Sequence, residues 1–304
     1  MNYNILFVCF FTFSLLFLNS NAKFNNCNIL SMSGGGSFGA VEVGILENIN
    51  TNFDLISGVS VGALNACFLS HFNKDDFHIG LEKLKNIYLN LKNDDIYKPN
   101  WHFSYHNLNK VGFFDTSPLQ DTLKNIIYNF HNKNVVPSII GSTNLNNSNF
   151  DIFYLNNYTN EEQVELLLTS SAIPLAFPPR MWNNSLYIDG GVISNSILKE
   201  LDNFIDCDFY NITYITTSDK LAVNNDIVNF GILLKRITEV IYFNFNNELY
   251  QFDNVKCLKP KGVINYCYPN SDKLNKYSIL DFTKSTELID IGKNHHHCTK
   301  INYC

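Results

Sequence analysis

The stretch Leu55-Ile56-Ser57-Gly58-Val59-Ser60-Val61-Gly62-Ala63-Leu64-Asn65-Ala66 decides how the chain is read. Residues 53–56 are an apolar run of strand character, and residues 63–72 carry small and apolar side chains at helical spacing. Between them, Gly58-Val59-Ser60-Val61-Gly62 enforces a sharp turn. Glycine two positions either side of a serine lets strand and helix pass closely, leaving the serine on a strained backbone with its hydroxyl at the helix N-terminus. Ser60 is therefore the candidate nucleophile. A bare Gly-x-Ser-x-Gly recurs by chance in glycine-containing loops, but here the strand, turn and helix that the motif needs are all in place.

Upstream, residues 28–32 form a short apolar strand that runs into Ser33-Gly34-Gly35-Gly36-Ser37-Phe38-Gly39, followed by a helix over residues 40–49. The order strand, helix, strand, helix predicts a parallel sheet with right-handed crossovers. Downstream, residues 77–91 read as an amphipathic helix, and residues 94–116 as a long aromatic loop or lid holding Trp101, Phe103 and Tyr105. Pro118 opens a helix through Phe130 with Ser117 as its cap. Residues 135–143 and 149–155 read as a hairpin, and residues 161–172 as a helix that stops before Pro174. A proline-rich loop over residues 175–181 precedes a strand over 186–188 that ends on Asp189-Gly190-Gly191. A helix over 196–205, a strand over 209–217, and helices over 226–252 and 277–292 complete the reading.

With 304 residues, 45% hydrophobic and 14% aromatic, the chain can bury a large core. A net charge of -6 with no Lys/Arg cluster argues against a nucleic-acid partner and against a polybasic membrane patch, so lipid contact must be apolar. Residues 5–18 are apolar but short for a bilayer span, and Ser20-Asn21-Ala22 suits signal peptidase. We expect a cleaved secretory signal over residues 1–22 and a secreted or lumenal product. The missing Lys or Arg before the apolar run keeps an uncleaved anchor as the alternative.

Without Cys9, seven cysteines remain, an odd number that leaves at least one thiol unpaired in an oxidising compartment. Cys67 reads as a small buried hydrophobe, and Cys257, Cys267, Cys298 and Cys304 as a disulfide cluster; with Cys27 and Cys207 the pairing is open. Sequons at Asn146, Asn157, Asn183 and Asn211 agree with secretion. The expected organisation is a signal at 1–22, one α/β domain at 23–293 and a His/Cys-rich tail at 294–304. In that tail His295, His296 and His297 read as solvated or as a weak metal contact.

Acyl transfer by serine needs a nucleophile, a base and donors aimed at the oxyanion. Gly34-Gly35-Gly36 opens a helix without side chains and can converge backbone N–H groups on a developing negative charge. The same turn could hold a nucleotide, yet it lacks the Lys-Ser/Thr of a P-loop, and no acidic residue ends the second strand before the serine turn to hold a ribose. The base is either Asp189, at a strand end stripped of neighbouring side chains by Gly190 and Gly191, or a histidine. The eight histidines, His71, His78, His102, His106, His131, His295, His296 and His297, stand in no context that singles one out.

Taken together, Gly34 to Gly39, Gly58 to Gly62 and Asp189 to Gly191 resemble, in order, the three signatures of the patatin-like phospholipases, the lipid acyl hydrolases. Thr169-Ser170-Ser171-Ala172-Ile173-Pro174 and Asn195 also resemble that family, over residues 28–198 in all. The resemblance implies a three-layer α/β/α fold with a mainly parallel central sheet, and a Ser-Asp dyad without histidine. Ser60 would then attack the ester and Asp189 would carry the proton. The oxyanion hole would fall on Gly34, Gly35 and Gly36, with the N–H groups of Gly35 and Gly36 as donors. Gly39, Gly58, Gly62, Gly190 and Gly191 would be motif glycines, no metal or cofactor would be required, and the partner would be a lipid substrate met at a lipid surface. Ser33 stands where the family often has Asp, Phe38 where it often has Arg or Lys, and Ser196 where proline is usual.

The expectation is a secreted or lumenal lipid acyl hydrolase of phospholipase A type. Two alternatives are a Ser-Asp-His α/β-hydrolase and a catalytically weak or inactive patatin-fold storage, toxin-like or lipid-binding protein.

Overall fold

The computed structural model describes residues 24–100, 111–130, 134–217 and 260–304. The expected signal, the aromatic stretch at Trp101 and the helix expected over residues 226–252 lie outside the described residues.

Strand β1 (Phe24–Met32) leads through a 3-10 turn at Gly36–Phe38 into α1 (Gly39–Leu46), and β2 (Leu55–Val59) into α2 (Val61–Ser70) and α3 (Phe77–Asn90). A small ladder of β3 (Lys98–Pro99) and β4 (Phe114–Asp115) precedes α4 (Ser117–Ile127). Next come β5 (Ser138–Asn144), β6 (Asn149–Tyr154), α5 (Asn160–Ser170), β7 (Arg180–Trp182), β8 (Ser185–Asp189) and β9 (Cys207–Ile215). The last elements are β10 (Gly262–Pro269), a one-turn α6 (Ser271–Leu274), α7 (Ser285–Asn294) and β11 (His296–Tyr303).

Local chemistry accounts for several boundaries. Thr159 and Glu162 form a capping box that starts α5, with the Glu162 carboxylate accepting from Thr159 N at 2.8 Å. Ser117 is not the cap of α4 but its first residue. The acceptor for the Ser117 N–H is Asp115 Oδ1 at 2.8 Å, and Pro118 sits in the first turn, where a missing N–H costs nothing.

The described strands form a nine-stranded sheet in the order β11-β10-β9-β1-β2-β5-β8-β7, with β6 also paired to β5. The ladder from β10 through β5 is parallel; β11, β6, β8 and β7 are antiparallel additions. Alternation along β1 sends Leu30 and Met32 to a core shared with α1, α3 and α7, whereas Cys27 and Ile29 face a core that includes Leu198 and Leu201 of a 3-10 segment. That segment, Leu198–Asn203, replaces the α-helix expected over 196–205.

One feature of the register positions the site. On β5, β6 takes one edge over Ile139 to Asn144, so β2 and β8 must share the other. There Val59 lies opposite Gly141 and Asp189 opposite Ser142, consecutive residues of β5, and the C-terminal ends of β2 and β8 meet head to head.

The tail expected at 294–304 is instead part of the sheet. His296 to Tyr303 pairs along the whole of β10, Cys267 stands opposite Cys298, and these two cysteines are disulfide-bonded. β10 itself has no counterpart in the sequence reading: its short apolar alternation is broken by Asn265 and bounded by Gly262 and Pro269. The last helix starts at Ser285 rather than 277, because the Asp281 carboxylate caps a 3-10 turn through Thr283 N at 3.1 Å. A second disulfide, Cys27–Cys207, ties β1 to β9, and Cys304 is disulfide-bonded too. Cys67 is a free, fully buried thiol, its ionisation pushed up to about 12 by burial.

Candidate active site

Every residue of β2 is buried, and the chain leaves it through Ser60 at φ 56, ψ -125 before α2 begins. That conformation is rare for a residue with a side chain and persists only where the surroundings over-determine it. Here a Cβ on Gly62 would lie 2.5 Å from the Met32 carbonyl oxygen and 2.6 Å from that of Ser33, so only glycine lets α2 start against the end of β1. The Ser60 N–H is held by Ser170 Oγ at 3.0 Å, and Ser170 in turn donates to the Gly141 carbonyl at 2.7 Å. The Ser60 hydroxyl therefore stands at the positive end of α2.

Asp189 ends β8 beside it. Its N–H donates to the Ala172 carbonyl at 2.9 Å, and its Oδ1 accepts from Gly191 N at 2.9 Å. The other oxygen, Oδ2, accepts from Ser60 Oγ at 2.5 Å, across 129 residues of sequence. Both side chains are buried.

The glycine turn lies on the opposite side of Ser60: a Cβ on Gly34 would meet Ser60 Cβ at 2.9 Å. The N–H of Gly34, a residue assigned from sequence to the oxyanion hole though not as a donor, is donated to Asn195 Oδ1 at 2.7 Å. Its carbonyl accepts from Thr217 Oγ1 at 2.7 Å and from Ser33 Oγ at 3.2 Å. Gly34 is thus the anchored residue of the turn. The N–H groups of Gly35 and Gly36 have no acceptor among the described residues. Gly36 adopts a left-handed φ of 58, and its missing Cβ makes room for the Ile279 carbonyl, which accepts from Ser37 N at 2.8 Å.

Ser33 and Phe38 take on structural work. Ser33 Oγ accepts from Thr217 N at 3.0 Å while donating to Gly34, which orders the turn without an acidic side chain. Phe38 is buried in the core with Val61 and places no cation at the site.

Of the eight histidines, His102, His106 and His131 lie outside the described residues. His71 follows α2, about 16 Å along the axis from Ser60 at 1.5 Å per residue, with Nδ1 on the Cys67 carbonyl at 2.8 Å. His296 and His297 sit on β11, four strands from β2. Among the described residues no group of three His, Cys, Asp or Glu side chains is placed to hold a metal ion.

Sequence reasoning missed Ser170 and Thr217 as parts of the site. Both carry the mark of a polar side chain at the end of an apolar element: Ser170 closes α5, and Thr217 follows β9, next to β1 in the sheet. Ligand sites of parallel α/β sheets gather at the carboxyl ends of strands, and Ser60, Gly34, Asp189 and Thr217 all follow or end strands in this way.

The sequence profile of the patatin-like phospholipases matches residues 30–202, more than half of the chain, a span that includes Gly34 to Gly36, Ser60, Ser170, Asp189 and Asn195. The chain belongs to the patatin-like phospholipase family, and its fold is the patatin fold, a family reading that supports a lipid hydrolase. An uncharacterized protein of Acanthamoeba polyphaga mimivirus is 28% identical over 238 residues, covering 68% of this chain and 75% of the relative. A probable lipid hydrolase of Invertebrate iridescent virus 6 is 29% identical over 177 residues, covering 55% of this chain and 60% of the relative. Among solved structures, VipD from Legionella pneumophila aligns with a TM-score of 0.39 at 12% identity over 90% of this chain and 68% of that one.

Proposed function

We propose that the protein is a secreted or lumenal acyl hydrolase of phospholipase A type, with Ser60 as nucleophile and Asp189 as general base. The observation that carries this reading is the 2.5 Å contact between Ser60 Oγ and Asp189 Oδ2 beside the glycine turn. In the acylation step Ser60 Oγ bonds to the ester carbonyl carbon as its proton passes to Asp189. The oxyanion that forms accepts from the N–H groups of Gly35 and Gly36, fixed dipoles that need no reorganisation when charge develops. Collapse breaks the ester C–O bond, and the leaving alcohol takes the proton from Asp189. Water then attacks the acyl-enzyme, giving its proton to Asp189 and releasing the fatty acid, and Ser60 is reprotonated. Gly191 N–H on Oδ1 leaves Oδ2 as the oxygen that handles the proton. A fluorophosphonate is expected to label the folded protein at Ser60; a folded, unlabelled Ser60 overturns the reading.

Contact with a lipid surface is proposed through Phe113 and Leu175, which are 41% and 54% exposed and joined by Phe113 N donating to the Leu175 carbonyl at 3.0 Å. Leu175 holds a left-handed φ of 68 three residues after Ala172, whose carbonyl receives the Asp189 N–H, so the exposed pair borders the site. Leu175→Asp is expected to lower hydrolysis of phosphatidylcholine vesicles about tenfold, the worth of burying one leucine, while changing hydrolysis of a soluble short-chain ester less than about twofold. Equal losses on both substrates would remove this surface role.

Secretion is supported by the disulfides Cys27–Cys207 and Cys267–Cys298, since such bonds persist in oxidising compartments. Asn146, Asn157 and Asn183 are exposed, whereas Asn211 lies within β9, its carboxamide donating to Asn28 Oδ1 at 2.8 Å and accepting from Asn265 at 3.1 Å. Expression through a eukaryotic secretory route should therefore yield glycans at the first three positions and none at Asn211, read by peptide mass spectrometry. Folded protein with a glycan on Asn211, or retained in the cytosol of its producing cell, contradicts this.

A further inference from the structure

Glu42 lies in the first turn of α1, the helix that leaves the glycine turn, and is fully buried. Its Oε2 accepts from Asn65 Nδ2 at 2.8 Å, and Asn65 lies on α2, the helix that starts from Ser60. The same Nδ2 reaches the Gly39 carbonyl at 3.3 Å, and Asn65 Oδ1 accepts from the Tyr88 hydroxyl of α3 at 2.8 Å. Three helices thus meet on one carboxyl and one carboxamide, directly behind the two turns that bear the proposed oxyanion donors and nucleophile. Among the described residues Glu42 Oε1 has no hydrogen-bond partner, and no cation pairs with the group.

We propose that Glu42 is a positioning residue of the acyl-transfer site: as an uncharged carboxylic acid it fastens the helix behind the glycine turn to the helix behind Ser60. This rests on the proposed roles of Ser60, Gly35 and Gly36. An N–H donor on Oε2 makes that oxygen the carbonyl and leaves Oε1 as the hydroxyl. Burial pushes the acid well above its ordinary range, outweighing the Asn65 amide and the Ser33 backbone N–H that favour the carboxylate. Of the groups packed around it, Tyr88 on α3 is itself raised by burial and stays neutral, and Asn65 on α2 does not titrate. The remaining charges nearby pair together at the far end of α1, where Glu47 meets Lys85 of α3 at 2.6 Å and Lys293 of α7 at 3.6 Å. Ionised, Glu42 would place an unpaired negative charge beneath donors meant for an oxyanion.

The test compares the wild type with Glu42→Gln and Glu42→Leu on a soluble ester, measuring kcat and KM across pH and, separately, thermal stability across pH. Gln keeps the Asn65 bond and cannot ionise. Its kcat near neutrality should stay within about threefold of wild type, and the fall of wild-type kcat at alkaline pH should be absent from it. Leu breaks the bond and should lower kcat about tenfold or more with KM unchanged, the scale of a small misplacement of reacting groups. Because the folded protein holds a proton on Glu42 that the unfolded chain loses above the ordinary carboxyl value of 4.5, wild-type stability should decline as pH rises from there to the raised folded value, relative to Gln. An alkaline fall in Gln matching wild type, or parallel stability profiles, overturns the proposal; if Leu does not fold, these two profiles decide it. The stability profiles need no activity, so their outcome stands apart from that of Ser60→Ala. Full turnover in Ser60→Ala would instead overturn the site on which Glu42 is said to act.

Discussion

Ser60→Ala and Asp189→Asn are each expected to lower acyl release from phospholipid by about 10⁴-fold, and the double variant by no more than the larger single loss. In the proposed mechanism the two side chains act on one proton: without the hydroxyl there is no nucleophile, and an asparagine at 189 can hold the Ser60 hydroxyl but cannot take its proton. Asn fills the same volume and can still accept from Gly191 N, so the fold around residues 189–191 should persist. Circular dichroism and the thermal midpoint should accordingly match the wild type within a few degrees. Asp189→Asn should also lose fluorophosphonate labelling at Ser60, because the serine is no longer activated. Unchanged turnover in either single variant would remove the Ser-Asp mechanism. Turnover abolished only by replacing a histidine would point to the Ser-Asp-His alternative.

Gly36→Ala is expected to lower kcat by about 10²- to 10³-fold, the usual effect of losing an oxyanion donor. At φ 58 an alanine costs roughly 1–2 kcal/mol in the left-handed region, and its methyl group would collide with the Ile279 carbonyl. Relief comes by swinging the turn away from Ile279, which also rotates the Gly36 N–H and loosens the Ser37 N–H bond to that carbonyl. The loss should fall on kcat, with KM for a soluble ester changed little, since the proposed donors would bind charge that exists only along the reaction path. A variant with native stability and wild-type kcat would show that the Gly36 N–H does not face the reacting carbonyl.

Much of the fold was legible because its signals are local. The glycines around Ser60, the helix stop before Pro174, and the hairpin of β5 and β6 each depend on neighbours a few residues away. The C-terminal region was not legible in that way. Residues 296–303 look polar and histidine-rich, and they form a strand because β10 offers a full row of backbone partners and the Cys267–Cys298 bond holds the register. Thr217 was likewise unmarked, and Ser170 was marked only as one residue of the Thr169 to Pro174 segment, since a hydroxyl at the end of an element acquires meaning only from the backbone group that it meets.

By itself the sequence determined which residues are suited to chemistry: a serine that only flanking glycines allow on so tight a bend, three glycines able to bare their amides, and a carboxylate at a strand end. The tertiary structure decided which of these meet and which amides remain open. A β-strand has two edges, and with β6 on one edge of β5, strands β2 and β8 must end against each other on the other, which brings Ser60 to Asp189. The same packing gives the Gly34 amide to Asn195 and leaves those of Gly35 and Gly36 without an acceptor among the described residues, because the N–H of Gly34 is taken by a folded partner and cannot also serve the oxyanion of the proposed reaction.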